Sequence, residues 1–176
     1  HDACYWACLI VADIGPPAKA CVPALLKVFE HENAECRMQA LEALAKIGPD
    51  AKSAAPAIAK LIESEQSGGV RYTGVFALGK LGDKAALPTV KKLLQSPDPV
   101  LRLLAAWAQL QLDADNPATT TESVDIILAG LSSDIDHVRA IAIEAIQESN
   151  VPTEKVAPAL IKALREGDKE FVGHII

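Results

Sequence analysis

Apolar positions along this chain recur with a helical period nested inside a longer one. In the stretch 70–82, VRYTGVFALGKLG, the residues Val70, Gly74, Ala77, Leu78 and Leu81 fall on one stripe at the spacing of an α-helix. The same slots carry Cys36, Ala40, Ala43, Leu44 and Ile47 one unit earlier, and Val138, Ala142, Ala145, Ile146 and Ser149 in the last unit. An arginine opens each helix, and eleven positions later stands a residue that tolerates left-handed backbone: Arg37 and Gly48, Arg71 and Gly82, Arg102 and Asp113, Arg139 and Asn150. A further copy, Cys4 and Gly15, lacks the arginine. Helix starts are signalled by the capping residues Asn33, Ser67, Asp98 and either Asp134 or Asp136.

Between these helices lies a second set that begins around a proline, at Pro23, Pro56, Pro88 and Pro158. Proline suits a first turn because its missing N–H has no partner there anyway. The unit after Asp113 departs from the pattern, placing Asp125 where the proline should stand and inserting the threonine-rich stretch 115–123, which reads as a longer loop. A unit of about 33 residues made of two helices cannot bury its apolar face alone, so neighbouring units must stack. The expectation is an all-α chain, an α-solenoid (superhelix) of stacked antiparallel helix pairs, occupying residues 1–176 as one domain.

Segments 82–102, GDKAALPTVKKLLQSPDPVLR, and 35–58, ECRMQALEALAKIGPDAKSAAPAI, carry a V-R…A-L…I-G…P-A-L pattern that resembles HEAT repeats of the bacterial, phycobilisome-lyase-like type. The likeness runs over nearly the whole chain and implies about four to five such repeats. It also implies a class of function: such proteins are mostly scaffolds and protein-binding modules, with a minority that act on bilin chromophores or alkylated DNA. A solenoid normally closes with polar capping repeats. Here the chain opens inside one helix, around 1–14, and stops inside another, 171–176, neither of them polar, so a longer protein with flanking repeats or domains is expected.

Rotation by 100° per residue puts a second stripe roughly 130° from the core stripe. In proteins that resemble this one, that stripe lines the inner, concave wall. Its slots hold Tyr5, Trp6, Leu9 and Asp13; Met38, Gln39, Glu42 and Lys46; Tyr72, Thr73, Phe76 and Lys80; Leu103, Leu104, Trp107 and Gln111; and Ala140, Ile141, Glu144 and Glu148. Five of the chain's seven aromatic residues fall there, whereas the core stripe is built of alanine, valine and leucine. Trp and Tyr are frequent anchors of binding surfaces. Tyr72, Phe76, Leu103, Leu104, Trp107, Met38, Tyr5 and Trp6 are therefore the candidate partner-binding residues, for a protein or peptide with apolar or aromatic groups. Packing of these side chains across the gap between neighbouring helices is the competing reading.

Composition narrows the partner. A net charge of −6 and a wall whose basic residues, Lys46 and Lys80, are outnumbered by Asp13, Glu42, Glu144 and Glu148 oppose nucleic acid. No apolar run approaches the roughly 18 residues needed to span a bilayer. No Ser/His/Asp or Cys/His constellation and no phosphate-cradling glycine loop stands out, so neither catalysis nor a cofactor is expected. The arginine ladder reads as structural, donating to loop carbonyls and to the capping acids. Cys4 and Cys8 sit one turn apart, but His31, His137 and His174 are isolated in sequence, so Cys4, Cys8, Cys21 and Cys36 read as small apolar fillers with no metal. Thiols of this kind fit a reducing, cytoplasmic compartment.

Overall fold

The structure, a computed structural model, describes residues 3–149, 151 and 153–166. The expected closing helix at 171–176, His1, His174 and the stand-in helix stop Asn150 lie outside the described residues. All regular structure among the described residues is helical, as the periodicity predicts. The chain divides into two compact units, His1–Lys92 and Leu93–Ile176. Each hairpin of a repeat stack packs on its neighbours only, so such a chain contains no core that spans all of it.

Unit 1 contains the second-type helices α1 (Ala3–Ile14), α3 (Ala34–Ile47) and α5 (Gly68–Leu81). The first-type helices α2 (Val22–Lys27) and α4 (Ala55–Ser64), and most of α6 (Leu87–Leu93), follow them in turn, each entered through a short 3-10 segment. α3 packs side by side on both α1 and α5. Its buried residues include Cys36, Ala40, Ala43, Leu44 and Ile47, the stripe read from the sequence. Small residues on these stripes let helices approach closely. A methyl group on Gly74 of α5 would lie 2.7 Å from Ile62 Cγ1 of α4, inside contact distance. Pro23 and Pro56 sit in the first turns of α2 and α4. α3 and α5 end at Gly48 and Gly82, whose φ angles of 71° and 70° are the left-handed values that favour glycine.

Caps hold the second-type helices where predicted, with one exception. Asn33 Oδ1 accepts from the Glu35 N–H at 2.8 Å, and Asp98 Oδ1 from the Val100 N–H at 2.9 Å. Ser67 caps α5 by accepting from Val70. α9 (Asp136–Gln147) instead starts after Ile135, which offers no side-chain cap, so neither Asp134 nor Asp136 takes the N-cap position.

Unit 2 contains α7 (Pro99–Asp113), α8 (Pro117–Gly130), α9 and α10 (Thr153–Glu166). Here the expected loop at 115–123 is corrected. Helix α8 begins at Pro117, with Asn116 as its N-cap. The threonines stay helical by bonding back one turn: Thr120 Oγ1 donates to the Asn116 carbonyl and Thr121 Oγ1 to that of Pro117, each at 2.9 Å. Ser123 is fully buried and donates to Gln109 Oε1 of α7 at 2.8 Å, so the polar stretch is tied to the core. Pro158 is also corrected, since it lies inside α10 and not in its first turn.

Candidate functional site

Three arginines of the ladder, Arg37, Arg102 and Arg139, are occupied by the chain itself. Arg37 Nη1 donates to the carbonyls of His31 at 2.7 Å and Glu32 at 3.0 Å, six and five residues back. Its Nε and Nη2 form a two-pronged pair with Glu65, at 2.8 and 3.0 Å, reaching the turn that precedes the next second-type helix. Arg102 repeats the local bonds to Ser96 and Pro97 carbonyls, and Arg139 donates to the Ser133 carbonyl and to Asp136. The Glu65 carboxylate also accepts from the backbone N–H groups of Gln66 and Ser67, both at 2.9 Å. Burial by itself raises its pKa, but the hydrogen bonds from Arg37 and from these amides outweigh that and hold it below the usual carboxylate value. All three guanidinium groups support the start of their own helix, and that of Arg37 also reaches the next repeat.

The aromatic inner-wall slots differ in exposure between the two units. In unit 1, Tyr5 of α1, Met38 of α3, and Tyr72 and Phe76 of α5 are each partly exposed, and Trp6 is 51% exposed. Tyr5 and Trp6 meet edge to face, with ring centroids 5.4 Å apart. Met38 faces the start of α5, where a methyl on Gly69 would stand 3.1 Å from its sulfur. Lys80 Nζ lies 5.1 Å from the centre of the Phe76 ring, a cation held over an aromatic face. Glu42 is partly exposed and Lys46 exposed, so charged groups accompany this apolar row.

In unit 2 the large apolar slots of α7 are closed at Leu103 and Trp107, while Gln111, Glu144 and Glu148 are exposed. Trp107 and Leu103, both offered as partner-binding residues, are each only 2% exposed and cannot be first contacts for a partner; of the α7 set, Leu104 is partly open and Gln111 exposed. The physical reason lies in α7 itself. Its buried residues include Leu101, Leu103, Ala105, Ala106, Trp107, Ala108, Gln109, Leu110 and Leu112, which surround the helix. Gly130 of α8 gives Leu103 its space, since a methyl there would lie 2.6 Å from Leu103 Cδ1. A helix apolar all round is a buried helix. That signal was present in VLRLLAAWAQLQL, residues 100–112, and a rotation argument that assumes one packed face overlooks it. Unit 2 does offer a partly open pocket of about 220 Å³, lined by Leu110, Gln111, Thr120, Val124 and Glu148 among others, and none of the eight candidates lines it.

Two features went unread in the sequence. Ile10 and Ile14 of α1 are 59% and 51% exposed and continue the Trp6 stripe at four-residue spacing. His31, isolated in sequence, is brought to Cys4 and Cys36, so that one donor atom from each lies within 4.8 Å of the others. All four cysteines are thiols, and burial, with Cys4 and Cys36 nearby, pushes the Cys8 thiol up to about 12.

Among the described residues no helix is long and apolar enough to cross a membrane. No curated protein matches the sequence. Among solved structures, the chain is similar to one from the complex of CpcE and CpcF of phycocyanin lyase from Nostoc sp. PCC7120, with a TM-score of 0.59 and 22% identity. That match covers 89% of this chain but 66% of the lyase chain. It is also similar to a designed armadillo repeat protein in complex with the peptide (KR)4, at TM-score 0.53 and 18% identity, over 97% of this chain and 87% of that one. An engineered protein matches at TM-score 0.54 and 19% identity, over 97% and 86% of the two chains. Likeness at such identity concerns the fold. Residues 3–73 and 55–121 each match the family described as HEAT repeats, and together with the stacked helix pairs and their arginine ladder they place the chain in the HEAT-repeat family.

Proposed function

We propose that the chain is a non-catalytic protein-interaction module, which holds an apolar or aromatic-bearing protein segment against the wall formed in unit 1 by α1, α3 and α5. The observation that carries this reading is the row of Tyr5, Met38 and Tyr72, partly open to solvent at equivalent slots of consecutive helices, with exposed Trp6 and partly open Phe76 beside it. The core of these helices is already filled by aliphatic side chains, so the row is surplus to packing. Exposed apolar area accompanied by charged residues is how a partner surface is built. That a peptide occupies a designed armadillo repeat protein of similar fold supports a peptide as the kind of partner.

The test is a selection from a displayed library of random twelve-residue peptides, repeated on a variant with Tyr72→Ala and Phe76→Ala. The proposal expects enriched sequences to carry aromatic or large aliphatic residues, and their binding to fall at least about tenfold in the variant while the helical CD signal is kept. An absence of enrichment, or binders indifferent to the double substitution, would leave a curved spacer as the better description.

The likeness to a phycocyanin lyase chain supports a second reading, in which the same apolar wall holds a flat tetrapyrrole. A titration with bilin distinguishes it: an absorbance band unshifted by the protein removes this reading and leaves the first untouched.

A further inference from the structure

At one turn of unit 1 the tie between consecutive repeats is seen directly. Between α3 and the turn before α5 it is the ion pair of Arg37, the fourth residue of α3, with Glu65, two residues before the N-cap Ser67. One repeat earlier the equivalent slots are Cys4, which stands where the arginine should be, and His31, two residues before the N-cap Asn33. The local geometry is conserved along with the slots. Glu65 Oε1 accepts from the N–H of its N-cap at 2.9 Å, and His31 Nδ1 accepts from the N–H of its own at 3.1 Å. A third donor joins them, because Cys36 fills the first core slot of α3, which is valine in α5.

We propose that Cys4, His31 and Cys36 form a zinc site that replaces the Arg–Glu ion pair as the staple between the first two repeats. Their three donor atoms lie within 4.8 Å of one another. Tetrahedral zinc with Zn–S near 2.3 Å and Zn–N near 2.0 Å sets its ligands roughly 3.5–3.8 Å apart, so closing the site takes a contraction of about 1 Å. Rotation of half-exposed Cys4 and His31 side chains supplies it without moving the fully buried Cys36. Two thiolates and an imidazole are the donor set that selects zinc over magnesium or calcium. Solvent reaches the site past Cys4 and His31, and water completes the tetrahedron. Apolar filling accounts for Cys36, which sits in a core slot, but for neither Cys4 nor His31, which are half exposed and converge on it from two other segments.

One consequence is specific to this geometry. Whichever imidazole nitrogen takes the metal, the other carries the proton. Nδ1 is then either a ligand or an N–H, and in both cases the Asn33 amide loses its acceptor. Loading must also release the thiol protons, so affinity rises with pH.

The experiment titrates the reduced chain with Co²⁺ and then displaces it with Zn²⁺. The site predicts one equivalent of Co²⁺, a thiolate-to-cobalt charge-transfer band in the near ultraviolet, loss of that band on adding zinc, and a shifted Asn33 amide resonance. Cys4→Ser and His31→Gln, both at half-exposed positions that spare the core, should each weaken binding at least about a hundredfold. Cys21→Ser, outside the cluster, should leave it unchanged. Absence of the charge-transfer band at stoichiometric cobalt overturns the proposal, as does a band of equal strength and affinity in both ligand variants.

Discussion

Arg37 and Glu65 show how a single pair can serve two helices, one by a buried contact and the other by its start. Both side chains are largely buried, at 14% and 6% exposed, so removing the carboxylate charge leaves a guanidinium without its partner. Glu65→Gln should lower stability at neutral pH by about 1–3 kcal/mol in a thermal or urea melt. The pH dependence has a defined sign. Because the folded carboxyl titrates below its ordinary value, its contribution is full above the usual carboxylate range and is lost as the pH falls through the lowered folded pKa. The parent should therefore lose stability over that acidic interval, while Glu65→Gln loses less there. Trp107 and Phe76, at equivalent slots of successive helices, should behave differently. Trp107→Ala empties a sealed site and should cost about 3–5 kcal/mol, against about 1 kcal/mol for half-exposed Phe76→Ala. The arginine spacing made the ladder legible in advance. The Cys4–His31–Cys36 cluster was not, because its members are up to 32 positions apart and meet only once the repeats are in register. Aligning slots across repeats, which sets Cys4 under Arg37 and His31 under Glu65, is the step that exposes it.

At the level of elements, the second-type helices were readable from their apolar period, caps and terminal glycines. α8 was not, because threonine, asparagine and proline together look like a loop in sequence. In the structure Asn116 and Pro117 start the helix, and the hydroxyls return their bonds to its own carbonyls. The bond of Ser123 to Gln109 then fixes α8 on α7. Gln109 stands on a stripe that holds Leu44 and Leu78 in other repeats, which suggests a consensus substitution that should fail. Gln109→Leu alone leaves the buried Ser123 hydroxyl without its acceptor and should cost about 1–3 kcal/mol. Adding Ser123→Ala should recover most of that loss, measured by denaturant midpoints of the two variants. A double variant no more stable than the single one would mean that leucine is rejected for its shape.

Across the whole molecule, the open aromatic row belongs to unit 1, while Leu103 and Trp107 at the corresponding slots of α7 are spent on the core of unit 2. This is the part of the site that the pattern of residues alone could not assign, since a slot's direction depends on how many neighbours surround its helix. Net charge of −6 argues that the partner is not a polyanion, and the chain should pass unretained over immobilised DNA at about 0.1 M salt. The decisive test uses a convenience of composition, since Met38, on the open row, is the chain's single methionine and gives one methyl resonance in a selectively labelled sample. Titrated with a library-selected aromatic peptide, that methyl signal should move in step with binding while the indole resonance of sealed Trp107 stays in place. A Met38 methyl signal that does not move at saturating peptide would contradict the account of unit 1 as the docking wall.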